Sequence, residues 1–166
     1  QGPIAREVRD VRLALGAMAQ SDARDPWWVP APLEGPALTS PIKVAVCKTP
    51  AGIACHSAVE QAIDQAAGHL SNAGYAVEMV DPPLVAEIAE SWRTLLFTDT
   101  KIMSEDAMRK YGGSDINQVL DDYMAASNIR DVDGYIHALA DRTRLLRAWS
   151  LFMEDYPLVL APVSQV

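Results

Sequence analysis

The sequence has few cysteines, few basic residues and no long apolar run, and each shortage excludes a class of protein. Its two cysteines, Cys47 and Cys55, are too few for a disulfide framework, so we expect reduced thiols in a cytoplasmic protein. The net charge is −8, whereas nucleic-acid phosphates require a basic surface, so no nucleic-acid partner is expected. The sequence contains no run of about 18 apolar residues, so no membrane partner is expected.

Motifs that bind metals or cofactors are also missing. His69 and His137 lie far apart, and the sequence contains no HxxxH or CxxC spacing. Gly112, Gly113 and Ser114 lack the GxxxxGK[ST] pattern of a phosphate-binding loop. The simpler interpretation is that the two glycines end one helix and that Ser114 caps the next. The sequence therefore predicts neither a metal nor a cofactor.

No nucleophile lies beside a base in the sequence. The closest candidate is CHS, residues 55–57, but adjacent residues rarely point at each other, and Ser57 stands where a helix N-cap is expected. The paired acids Asp121 and Asp122 point to different sides of a helix and are interpreted as a solvated face. We therefore predict no catalytic residue in this chain. Three aromatic residues at helical spacing are interpreted as core residues rather than ligand contacts: Trp92, Phe97 and Trp149.

The composition, 49% hydrophobic, is that of a globular protein, and helix and strand patterns alternate along it. Helices are predicted over 4–19, from His56 or Ser57 to 72, and over 84–108, 116–126 and 131–154, with Asp131 or Asp133 as the last cap. Strands are predicted over 42–47, 75–81 and 158–160. The prolines between 21 and 41 exclude a helix there, so this segment is predicted to be an extended connection anchored by Trp27 and Trp28.

These patterns predict a single α/β domain over 1–166, three-layer-like, with a short, mostly parallel sheet of about three strands and several packed helices. The apolar stripe of each helix indicates which face is buried. The residues expected to face inward are Val59, Ile63, Ala66, Ala67 and Leu70 in the second helix, Ile88, Trp92, Leu95 and Leu96 in the third, and Ile136, Leu139, Leu146, Trp149 and Met153 in the last.

The opening stretch GPIAREVRDVRLALGAMAQSDARDP, residues 2–26, resembles a segment of the amidase signature enzymes. In that family the segment follows the nucleophile region and typically reads GPMAR, then a valine, an aspartate, an apolar helix and RDP. The matching positions here are Gly2, Pro3, Ala5, Arg6, Val8, Asp10, Arg24, Asp25 and Pro26. Later stretches, IKVAVC, AVEQAIDQAAGHLSNAGYAVEMVD and LFMEDYPLVLAP, look like the family's following elements in the same order.

The resemblance implies an amide hydrolase that uses a Ser–Ser–Lys triad, with an oxyanion held by the backbone of a glycine-rich loop. In the family these groups precede the GPMAR stretch, and no serine or lysine of this chain matches them. The resemblance also implies a structural role for Gly2, Pro3, Arg6 and Asp10. Arg6 and Asp10, four residues apart, are expected to pair and to fix the first helix.

We therefore expect this chain to be a portion of a larger amidase, with an incomplete amidase signature fold and no activity alone. The whole protein is expected to hydrolyse a small-molecule amide without a cofactor. A non-catalytic α/β binding or assembly module that reuses this half of the fold is the alternative. Because missing strands would leave a sheet edge and apolar helix faces exposed, we also expect a homo-oligomer.

Overall fold

The computed structural model describes residues 2–164, and the chain forms two compact units that divide between Leu38 and Thr39. The second unit holds a parallel sheet and most of the helices. The α/β fold class is therefore confirmed, whereas the single domain over 1–166 stays a prediction. None of the helices within residues 2–164 has the length and apolar character that a membrane crossing requires.

Helix α1 of the first unit spans Val8–Met18 and begins later than predicted. Glu7 is its N-cap, and the Glu7 carbonyl accepts hydrogen bonds from the backbone N–H groups of Asp10 and Val11. Pro3 therefore lies before the helix and not in its first turn. No side chain of α1 is fully buried, so its apolar stripe remains largely exposed.

The ion pair expected between Arg6 and Asp10 does not form among the residues that the structure describes. The carboxylate of Asp10 lies 3.7 Å from the Nε atom of Arg9, and Arg6 is exposed. Because Arg6 precedes the helix, it lacks the helical spacing that would bring it over Asp10. The structural role that the family resemblance implies for Gly2, Pro3, Arg6 and Asp10 stays a prediction.

The proline-rich segment after α1 forms no helix or strand up to Leu38, as predicted. The indole Nε1 of Trp28 donates a hydrogen bond of 3.0 Å to the carbonyl of Ala19, so Trp28 anchors this segment to the end of α1. Trp27 is 88% exposed, and the anchoring role predicted for it is wrong. Its backbone N–H instead closes a local turn on the carboxylate of Asp25.

The sheet of the second unit contains the parallel strands β1 (Lys43–Val46), β2 (Ala76–Met79) and β3 (Leu158–Leu160), in the order β2-β1-β3. All three predicted strands are confirmed, the first two being shorter at both ends. The central strand β1 is buried except at Lys43, because it has neighbours at both edges and cover on both faces.

Five α-helices complete the described part of the second unit: α2 (Ser57–Asn72), α3 (Val85–Met103), α4 (Glu105–Tyr111), α5 (Ser114–Ala126) and α6 (Val132–Asp155). The single helix predicted over 84–108 is wrong, because Ser104, with φ of −133°, separates α3 from α4. Serine favours such breaks since its hydroxyl competes with helical hydrogen bonds. Asp131 caps α6 as predicted, accepting a 2.9 Å hydrogen bond from the N–H of Gly134.

Helix α2 covers one face of the sheet with the residues that its apolar stripe predicts. Ile63 is buried against Val44 and Val46 of β1, and Ala67 and Leu70 pack beside it. This contact forms the main apolar core of the second unit. It ties the helix to the central strand, so the loops at the carboxyl ends of β1 and β2 start from a rigid base.

The buried faces of α3 and α6 differ from the predicted stripes. In α3 the buried residues are Thr94, Phe97 and Thr98, and in α6 the buried residue is Leu145. The two helices pack on each other, and this mutual contact decides which face is covered. The residues predicted to face inward that are instead exposed are Trp92, Leu96, Ile136, Leu139, Leu146 and Met153.

Candidate functional site

A crevice of about 280 Å³ lies where β1 and β2 end and the following loops begin. Parallel α/β sheets bind ligands outside the carboxyl ends of their strands, because the loops there converge on open backbone groups. The sequence analysis did not identify this crevice, although its position after two predicted strands was a usable signal. Its lining includes Cys47, Thr49, Ala51, Asp81, Leu84 and Glu87.

Two residues that line the crevice have a left-handed backbone that side chains other than glycine rarely adopt. Ala51 has φ of 59° and lies in the turn after β1, and Leu84 has φ of 56° and is the N-cap of α3. Such conformations cost of order 1 kcal/mol each and cluster at functional sites. The surrounding structure holds them: the Gly52 N–H donates to the Thr49 carbonyl at 2.8 Å, and the Leu84 carbonyl accepts from the Ile88 N–H at 2.9 Å.

Cys47 contributes a thiol to the crevice that is unsuited to nucleophilic attack. Burial, together with the neighbouring Asp81, raises the pKa of Cys47 to about 11. Only the thiolate is an effective nucleophile, so Cys47 stays unreactive near neutral pH. The second cysteine, Cys55, donates a 3.1 Å hydrogen bond to the carbonyl of Lys48. Neither thiol therefore changes the prediction that no catalytic cysteine is present.

Ser57 is neither a nucleophile paired with a base nor the cap of α2. The N-cap is His56, whose Nδ1 accepts a 3.2 Å hydrogen bond from the backbone N–H of Ala58, while Ser57 is the first helical residue and is exposed. The predicted cap at Ser57 is therefore wrong by one residue. His56 can take the cap position because its imidazole nitrogen accepts a hydrogen bond from a backbone N–H, as a serine hydroxyl does at other helix starts.

Ser114 is the first residue of α5, and the predicted cap at this serine is also wrong. Gly113 occupies the N-cap position, and the Ser114 hydroxyl lies 3.2 Å from the carboxylate of Asp115. Gly112 ends α4 as predicted, because its N–H donates to the Met108 carbonyl at 2.8 Å. A Cβ at position 112 would lie 2.5 Å from that carbonyl oxygen, so only glycine fits there.

The paired acids have separate partners. Arg109 donates a 2.7 Å hydrogen bond to Asp121 and joins α4 to α5, whereas Asp122 accepts from Gln118 one turn earlier at 3.0 Å. They point to different sides of α5, as predicted, and do not form an acid–base pair. Both side chains are exposed, so the interpretation as a solvated face is confirmed, although an arginine from another helix also binds Asp121.

The three aromatic residues that the sequence analysis assigned to the core have different environments. Phe97 is buried and stacks on Tyr123, with ring centres 5.0 Å apart. The half-buried Trp149 donates from Nε1 to the carbonyl of Pro83 at 2.9 Å. Trp92 is 56% exposed, so its assignment to the core is wrong.

The histidines and lysines lie on several different elements of the second unit. His69 is exposed in the last turn of α2, and His137 lies in α6. Lys43 and Lys48 form ion pairs with Glu78 and Asp64. Among residues 2–164, no three side chains of the kinds that bind metals lie close enough to hold an ion.

Comparison with known proteins places this chain in a family. A family model described as Amidase matches residues 1–166, and the chain belongs to that family. The resemblance of its opening stretch to amidase signature enzymes is therefore confirmed.

Two relatives are similar along almost the whole chain. An indoleacetamide hydrolase of Bradyrhizobium diazoefficiens is 44% identical over 164 residues, which cover 99% of this chain and 31% of that protein. An indoleacetamide hydrolase of Bradyrhizobium japonicum is 43% identical over 164 residues, covering 99% of this chain and 35% of that protein. The chain thus spans about one third of the length of these curated relatives.

Proposed function

We propose that this chain is the non-catalytic part of an amidase whose whole protein hydrolyses a small carboxamide of the indoleacetamide type. The observation that carries the proposal is the identity of 44% to an indoleacetamide hydrolase over 164 residues. In this proposal the chain supports and borders the substrate site, while the triad and the oxyanion loop belong to a different part of the enzyme.

The surroundings of the candidate nucleophiles support the absence of catalysis by this chain alone. Ser57 is exposed at a helix start, and Ser114 contacts a carboxylate, which cannot act as the lysine of the family's triad does. An amide hydrolase that loses only its triad retains about 10³–10⁴-fold catalysis over water from its oxyanion hole and binding. A chain that lacks both the triad and the oxyanion loop therefore has no group left to supply this residual catalysis.

The crevice at the carboxyl ends of β1 and β2 supports a role in bordering the substrate site. Backbone hydrogen bonds hold its strained residues, Ala51 and Leu84, in place, and loops at this edge of a sheet position ligands in α/β proteins.

Amide hydrolysis by the purified 166-residue chain tests the proposal. Indole-3-acetamide and a panel of aryl and aliphatic amides are incubated with the chain while ammonia or amine release is followed, and a fluorophosphonate is used to label any activated serine. We expect no release above buffer and no labelling. Turnover that disappears in Ser57→Ala or in Ser114→Ala would contradict the proposal and identify the nucleophile.

We also propose a cytoplasmic location for the whole protein. Both cysteines of the chain are free, which agrees with a reducing compartment. Measuring the thiol content of protein purified under alkylating conditions tests this part of the proposal, and a disulfide between Cys47 and Cys55 in protein from its natural source would contradict it.

A further inference from the structure

The first unit, which ends at Leu38, has no buried side chain between residues 2 and 38. Chains of fewer than about 40 residues rarely bury enough surface to fold without disulfides, a metal or a partner. The sequence of this unit contains neither cysteine nor histidine, the residues that form disulfides and most structural zinc sites. A surface that packs against the unit is therefore the natural source of its stability.

The apolar stripe of α1, which consists of Val8, Val11, Leu15 and Met18, is the part of this unit that most needs such a surface. Val8 is 85% exposed and Met18 is 59% exposed. The helix has 11 residues, and helices shorter than about 12–15 residues are marginal in water because most of their stability comes from packing an apolar face. The stripe is thus a helix face that calls for a packing partner.

The proline-rich segment of the same unit packs on a different side of α1. Arg12 donates a 2.8 Å hydrogen bond to Glu34, and a Cβ at Gly16 would lie 3.8 Å from the Cδ1 of Leu33. Arg12 and Gly16 are four residues apart and share one side of the helix, beside the stripe. The segment therefore holds α1 from that side and leaves the stripe largely exposed.

The lengths of the two relatives indicate what packs on the stripe. Their similarity covers 99% of this chain, so it includes the first unit, but it covers only 31% and 35% of those proteins. In each relative, the segment that matches α1 therefore belongs to a chain about three times as long. About two thirds of that longer chain is protein surface that this chain does not supply.

The size of the stripe disfavours a second copy of this chain as its partner. A helix of 11 residues is about 16 Å long and about 10 Å across, so two stripes that face each other would bury on the order of 200 Å² per copy. Stable dimers bury about 800 Å² per partner. The remainder of an amidase does not have to rely on this stripe alone, because the second unit also exposes large apolar side chains such as Met79 and Ile102.

We propose that the stripe of α1 is a docking surface for the part of the amidase that this chain does not span. That part is the one to which the proposed function assigns the triad and the oxyanion loop, so this inference rests on the proposed function. The partner surface is apolar at its centre, matching the four aliphatic and thioether side chains of the stripe. Docking there fixes the opening segment of this chain against the catalytic part of the enzyme.

Co-expression of the affinity-tagged 166-residue chain with the remaining portion of the Bradyrhizobium diazoefficiens hydrolase tests the proposal. We expect a one-to-one complex that survives size exclusion. The double variant Val8→Lys and Leu15→Lys should retain at least tenfold less partner, because its ammonium groups would be buried in the contact. Leu13→Lys is the matched control, since Leu13 is 69% exposed and lies on the other side of α1, and it should retain the partner fully.

Failure of the unchanged chain to retain the partner would overturn the proposal. Equal losses in the stripe variant and in Leu13→Lys would also overturn it, because they would show that any charge added to α1 has the same effect. Neither experiment follows ammonia release. A failure of docking is therefore distinguishable from hydrolysis by the isolated chain, which would contradict the proposed function instead.

Hydrogen exchange of the isolated chain tests the same proposal without the partner. Backbone N–H groups of α1 should exchange at least a hundredfold faster than those of α2, whose Ile63 is buried against β1, at every chain concentration. Protection of α1 that rises with concentration would assign the stripe to a second copy, and constant protection would assign it to the chain itself. Either result would overturn the proposal.

Discussion

At the scale of single residues, Cys47 shows how the fold sets the chemistry of a side chain. The thiol is 1% exposed, and burial, with Asp81 nearby, raises its pKa to about 11. In the unfolded chain an ordinary thiol loses its proton near pH 8.5. Between these two pKa values the unfolded state binds fewer protons than the folded state, so the stability contributed by Cys47 decreases as the pH rises.

This difference between the folded and unfolded pKa values predicts that Cys47 makes the folded chain less stable at alkaline pH. The free energy of unfolding should fall by about 2 kcal/mol between pH 8 and pH 10 because of this thiol. Urea unfolding of the chain and of Cys47→Ala at both pH values measures it, and the variant should lack this component. Cys55→Ala is the matched control and should keep the full loss. An equal pH dependence in the chain and in Cys47→Ala would contradict the prediction.

At the scale of elements, α2 illustrates a helix whose end is encoded locally. Its C-cap is Ala73, and Gly74 follows with φ of 91°, its N–H donating to the Ser71 carbonyl at 3.0 Å. A left-handed residue directly after a helix is usually glycine, because a Cβ disfavours that conformation. The chain then turns into β2, so this glycine sets where the second strand begins.

A pair of glycine variants tests this element. Gly74→Ala should lower the free energy of unfolding by about 1 kcal/mol, because alanine is strained at a left-handed φ. Gly68→Ala, inside α2 with no atom within 4 Å of a new Cβ, should instead raise it by about 0.5–1 kcal/mol through helix propensity. Urea denaturation midpoints of both variants measure the two effects, and a gain in Gly74→Ala would show that the turn relaxes.

The helix pair α3 and α6 shows the opposite case, in which distant contacts decide the element's orientation. Glu87 of α3 binds Arg144 of α6, and Pro83 before α3 binds Trp149 of α6. These partners lie more than fifty residues apart in the chain. A groove of about 680 Å³, lined by residues of both helices, exists because of this pairing.

At the scale of the whole molecule, the second unit leaves unpaired backbone and much apolar surface exposed. In the order β2-β1-β3, both β2 and β3 have an edge without a neighbouring strand in the described structure. Such edges and apolar patches favour association. The exposed large apolar residues of this unit include Met79, Ile102, Met103, Tyr111 and Leu146.

We therefore predict that the chain associates in solution, as a dimer or a larger species. Light scattering behind size exclusion should give a mass above the 18.0 kDa of one chain, increasing with concentration. Met79→Lys, which places a charge on the exposed edge strand β2, should lower that mass if the edge pairs, since edge charges oppose strand pairing. A monomer at high concentration would contradict the prediction.

The sequence by itself determined the features that depend on neighbouring residues. The run IKVAVC predicts the strand β1, the stripe through Ile63 predicts the covered face of α2, and Asp131 marks a helix start. The opening stretch resembles the amidase signature family, whose model matches the chain. These predictions succeed because propensity, capping and periodicity act over a few residues.

Only the tertiary structure decided which helix faces are covered, where the crevice and the groove lie, and how Cys47 titrates. α3 carries apolar residues on more than one side, so its periodicity does not select between Trp92 and Phe97. Phe97 is the buried residue because Tyr123 of α5 stacks on it, and the loop before α6 bonds to its neighbour Thr98 through the N–H of Arg130. Whether a side chain is buried depends on which residues pack against it, and in this molecule those residues come from distant parts of the sequence.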